Sequence, residues 1–232
     1  MNMAIDLLNM AIDLQRWVAW IFDQPVPEPS LYWNAEALGP IRSSAEMLTV
    51  ATHLFEDPAG LMCPFSDEQV NQGFWFLCGP ESDVMRGLVN ESIAWDVRAR
   101  CIRSFVSLFR DLFVTRCTPH LSHLMRGGEP ETFEVSPLNM ACYMWWDFDC
   151  WRASPTVTAH RHVDAEFLDV MRHTLALPHD ACRASALHGL GHWHRAYPEQ
   201  TVDIIDRFLD RNQNIREELR RYPLAARCGC VQ

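Results

Sequence analysis

Lysine is missing from this chain: all 20 basic residues are arginine. Chemistry that needs a primary amine is thereby excluded, including Schiff-base formation, a P-loop lysine and a lysine general base. Also missing are G-x-S-x-G, a glycine-rich phosphate loop and a C-x-x-C pair, so nucleophilic, nucleotide-dependent and zinc-ribbon readings have no motif to stand on. No apolar run approaches the roughly 20 residues that span a bilayer, and the first residues carry neither a basic region nor a signal-like cleavage site. The expectation is a cytoplasmic protein with no membrane partner. Basic charge is scarce as well. With 30 acidic residues the formal net charge is −10, which speaks against a nucleic-acid partner, because phosphate binding needs a clustered basic surface. A basic protein suits such a chain better.

What is present is an ordinary globular composition, 48% apolar over 232 residues, expected to form a single helical domain over 1–232. Nine cysteines, an odd number, suit buried free thiols better than a disulfide framework. The chain opens on a duplication, NMAIDL at 2–7 and again at 9–14, whose seven-residue step fits one long helix. Residues 24–40 hold Pro25, Pro27, Pro29 and Pro40 and read as an extended strap. Helices are predicted over 41–55, from a Ser66–Gln69 capping box to Gly79, over 82–89 and over 95–116. The last puts Val97, Cys101, Phe105, Leu108 and Leu112 on one face and Arg98, Arg100, Arg103 and Arg110 mainly elsewhere. Residues 127–136 read as a mobile loop between the N-terminal helices, 1–126, and the C-terminal helices, 137–232.

In the C-terminal part an apolar helix is predicted over 137–151. Further helices follow over 164–177, over 180–196 and after Pro198, which suits a first helical turn. Cys182, Ala186, Leu190, Trp193 and Tyr197 share one arc of the third. Segment 164–177 matches the helix after Pro198 at an offset of 34 residues: Leu168, Asp169, Val170, Met171 and Leu175 correspond to Val202, Asp203, Ile204, Ile205 and Leu209. Ile102, Val106 and Phe109 likewise superpose on Ala186, Leu190 and Trp193. At these residues the chain resembles a degenerate HEAT-like α-solenoid. The fold class implied is all-α, with stacked antiparallel helical hairpins behind an irregular N-terminal half. PHLSHL (119–124), CYMWWD (142–147) and SALHGLGHW (185–193) resemble segments of a bacterial family of helical proteins, a resemblance that carries no activity.

Two constellations are candidates for function. His188 and His192 stand one helical turn apart, the spacing with which two imidazoles reach one metal. The sequence is HGLGH, and Gly189 replaces the glutamate that would act as base in an HExxH peptidase. The repeated His-Glu dipeptides of HEAT-repeat hydroxylases are absent too. The competing structural reading is that small residues let backbones approach while the histidines hydrogen-bond inside the stack. His120 with His123, and His160 with His162, could complete a site. Cys182 and His188 point about 120° apart on one helix and cannot form a thiolate–base pair. The second constellation is Trp145, Trp146 and Asp147, near Tyr143 and Trp151. Adjacent tryptophans diverge by about 100°, so one is expected to line a groove.

Three functional readings follow. The first is a non-enzymatic protein-binding module without cofactor, such as an immunity protein that blocks a toxin or an adaptor. Its surface would combine Trp145 or Trp146 with Asp147, His188, His192 and Arg195. The alternative is a metal-dependent enzyme or metal sensor using His188 and His192 with zinc or iron. A small-molecule pocket beside the two tryptophans is a third possibility.

Overall fold

The computed structural model describes residues 14–26, 43–79, 82, 84–119, 121, 135–147 and 153–231. The N-terminal duplication, most of the strap, the 127–134 loop, His120, His123 and Trp151 lie outside them. The described residues are helical and contain no strand. In chain order they are α1 (14–22), α2 (Ser44–Glu56), α3 (Pro58–Met62), α4 (Asp67–Cys78), α5 (Val84–Val89) and α6 (Trp95–Ser107). After α7 (Val114–Arg116) come α8 (Leu138–Met144), α9 (Arg161–Ala176), α10 (Asp180–Trp193), α11 (Pro198–Arg211) and α12 (Glu217–Ala226). None is long and apolar enough to cross a membrane.

Local chemistry sets several boundaries. Ser66 and Gln69 form the expected reciprocal capping box at the start of α4. The same glutamine donates to the Gln24 carbonyl, and Gln72 donates to that of Pro25, so α4 pins the first residues of the strap. Helix α6 runs into α7 through a π-helical segment, Leu108–Phe113, where the sequence alone suggests a regular helix. A π turn is wider than an α turn, and here it leaves Leu108, Phe109, Leu112 and Phe113 all buried. Arg98, expected mainly off the apolar face of this helix, is nonetheless covered. It is buried, with Nε donating to the Ile93 carbonyl at 2.9 Å and Nη1 to that of Leu88, because the turn between α5 and α6 leaves carbonyls in need of a donor.

The buried side chains form one continuous cluster from Trp17 to Ala226. Helix α10 lies at its centre, packed against α8, α9, α11 and α12. The apolar arc predicted for it is present, but the opposite side is covered as well: Leu190 and His188 are both buried. The run ASALHGLG makes this possible, because alanine, serine and glycine let neighbouring helices approach on every side. α9 and α11 pack together, as do α10 and α12.

Candidate metal centre

The site is built where the end of α8 meets the middle of α10. α8 is tied to α4: Ser136 Oγ donates to Asp67 and accepts from the Leu138 amide, while Asn71 accepts from the Ala141 amide. It is shorter than the 137–151 helix predicted. It stops at Met144, and residues 145–147 make a turn closed by the Asp147 amide on the Met144 carbonyl at 2.9 Å. That turn sends three successive side chains to different places.

Trp145 enters the core at 0% exposure. Its ring meets Phe74 and Phe105 edge-on at 5.4 Å and Phe113 at 5.8 Å, with Phe55 and Phe109 just beyond. Trp146, 3% exposed, stacks on Phe109 at 5.8 Å with the rings 7° from parallel. Its other contact is Gly189, where a Cβ would stand 2.6 Å from the indole Cγ. The expectation that one of the two indoles lines a groove is therefore corrected. The turn ending α8 lets adjacent residues diverge inward, so both find core positions that one continuous helix would not offer together.

With Trp146 seated on Gly189, the next residue, Asp147, reaches both histidines. Oδ2 is 2.8 Å from His188 Nε2, and Oδ1 is 2.8 Å from His192 Nε2. The two Nε2 atoms are 3.1 Å apart. His188 is 1% exposed, whereas the His192 side chain is 42% exposed, so the cluster is closed on one side and open on the other. On the closed side, His188 Nδ1 lies 2.8 Å from the Tyr143 hydroxyl and 2.9 Å from that of Tyr222; the hydroxyls are 3.1 Å apart. Burial raises both tyrosine pKa values above the ordinary range, which keeps the hydroxyls protonated and neutral. Burial also pushes the Asp147 carboxyl up. Its hydrogen bonds from His188 and His192 outweigh that effect and hold it well below the usual carboxylate range.

These distances suit a shared cation. Donors about 2.0–2.1 Å from one ion, at angles near 90–109°, stand roughly 3 Å apart. Among the described residues this is the one group of three or more candidate ligands whose donor atoms lie within 4.8 Å of one another. An ion at the shared point would take the place of the Nε2 proton that faces Asp147; His188 would then be the Nδ1–H tautomer, with a tyrosine oxygen accepting that proton. That is the outer support a metal-bound histidine usually has. Compared with protein-family models, curated proteins and solved structures, the chain matches none.

The other residues singled out from the sequence are distributed as follows. Arg195 is exposed, one turn beyond His192, at the rim of a cavity of about 590 Å³. His162 packs against Trp95 at 5.5 Å, and neither it nor His160 joins the cluster. Neither Trp145 nor Trp146 lines that cavity. Cys182 keeps apart from His188, as expected, but has different partners. A hydrogen bond from Cys142 first, and His179 second, pull its thiol down to about 6 against the opposing effect of burial. Burial is the main cause of the raised pKa of Cys142. Cys182 and Cys142 are both buried. Sequence reasoning missed Tyr222 entirely, since nothing in REELRRYPLAA marks one tyrosine as facing a histidine 34 positions earlier.

Proposed function

We propose that this protein is a metalloprotein in which Asp147, His188 and His192 hold one divalent transition-metal ion, zinc or iron, for a metal-dependent reaction. The observation that carries this reading is the convergence of two Nε2 atoms and a carboxylate at 2.8–3.1 Å separations. Two imidazoles and a carboxylate suit either metal. Three protein ligands leave a position open for water or substrate, whereas structural zinc sites are closed by four. A bound ion supplies Lewis-acid chemistry at that position. The chain's own contribution is orientation: Tyr143 and Tyr222 fix the His188 ring, Asp147 spans both histidines, and the exposed side of His192 admits solvent.

Protein purified without chelator is expected to contain close to one equivalent of zinc or iron by elemental analysis. Asp147→Ala and His192→Ala should lose the metal while keeping the helical circular-dichroism spectrum. Wild-type protein that arrives without metal and takes up neither ion overturns the reading.

We also infer that α9–α12 form two stacked hairpins of the HEAT-like kind. α9 pairs with α10 and α11 with α12, while α9 packs on α11 and α10 on α12, which agrees with the 34-residue offset. A protein-binding role draws support only from the exposed His192 and Arg195, since both indoles that would anchor a partner are buried.

A further inference from the structure

We infer that the cavity beside the metal centre binds the oxyanion group of a small ligand, held by the Arg195 guanidinium on one side and directed at the metal on the other. This rests on the metal reading above and names the class of ligand that site would take. His192 is common to both places: its Nε2 faces Asp147 and His188, and the residue also lines the cavity. The depression offers about 590 Å³ and is open to solvent, which gives a small anion access to it.

Charge decides the class. The chain carries 30 acidic residues against 20 arginines, yet the cavity wall contains one arginine, two histidines and no carboxylate. Elsewhere on the surface arginines are matched with acids, as in Arg100 with Glu56, Arg116 with Asp67, Arg207 with Asp203 and Arg227 with Asp206. Arg195 is exposed and makes no hydrogen bond or ion pair among the described residues. A divalent ion held by one carboxylate leaves a further positive charge beside it. A guanidinium presents paired N–H donors that match a carboxylate or phosphate.

The wall is also fixed in place. Gly229, at φ +68°, turns the C-terminal residues back, with its amide on the Ala226 carbonyl and that of Cys230 on the Ala225 carbonyl. Val231 then packs against Gly191, where a Cβ would stand 2.5 Å from the valine Cγ1. Gly191 and Gly229 line the cavity together, so its shape depends on this contact.

The test uses the full chain loaded with cobalt(II), desalted, and titrated with inorganic phosphate and separately with succinate at constant ionic strength. A saturable change in the cobalt visible spectrum is expected with at least one of them and none with chloride; the responding anion distinguishes phosphate esters from carboxylates. Arg195→Ala should weaken that response about tenfold or more with cobalt affinity unchanged, and Arg195→Lys should weaken it less. A response equally strong in Arg195→Ala, or none with either anion in cobalt-loaded wild type, overturns the inference and leaves the metal reading standing. Failure of wild type to hold cobalt at all overturns both, and is recognised before any anion is added.

Discussion

Trp145 and Asp147 are separated by one residue and serve opposite environments. Trp145 fills an apolar chamber walled by phenylalanines of α2, α4 and α6–α7, where volume is the controlling quantity. Asp147 enters a nest of two histidines backed by two tyrosines, where donor and acceptor positions control. Between them, Trp146 on Gly189 ties the chambers together. The contrast shows a single turn placing one side chain in the apolar core and another in a polar cluster two residues later.

Substitutions should separate the two chambers. Trp145→Ala is expected to cost roughly 3–5 kcal/mol of stability, read by chemical denaturation, because the five surrounding rings cannot collapse into the space. The protein that remains folded should still bind metal. Loss of metal at equal folded fraction would show that the chambers are not separable. Gly189→Ala tests the joint: its Cβ needs space occupied by the Trp146 ring, so a cost of about 1–3 kcal/mol is expected. Because relief would move Asp147, metal affinity should fall as well.

Much of the helical layout was legible in the sequence. The Ser66 cap, the Pro198 start and the apolar stripe of α6 are local signals, and the structure follows them. The spacing of His188 and His192 was legible too, but HGLGH was judged by the missing glutamate. The carboxylate that meets both imidazoles is that of Asp147, 41 residues before His188 in the chain, and it stands where a ligand rather than the missing base would. Gly189, legible both as a missing base and as a small residue that permits close approach, makes room for Trp146, since a side chain there would meet its ring. Size complementarity between a tryptophan and a glycine on separate elements leaves no periodic trace, and neither does the approach of Tyr222.

Smaller effects sharpen the comparison. Tyr222→Phe keeps the ring and removes one hydroxyl beside His188 Nδ1. Metal affinity should drop about 10–100-fold by competition titration, with only ~1 kcal/mol lost from stability. Equal affinity would mean that the tyrosines do not orient the histidine. At the lower end, Arg221→Ala removes an exposed pair with Glu217 on α12 and should change stability by no more than about 0.5 kcal/mol and metal affinity not at all.

The most direct measurement is the visible and near-ultraviolet spectrum of the metal-free protein titrated with cobalt(II). The account predicts d–d bands that saturate at one equivalent, no intense thiolate charge-transfer band, displacement by zinc, and loss of the bands in His188→Ala. No saturable band, or a thiolate band that persists in His188→Ala and places the ion on cysteines, would contradict it.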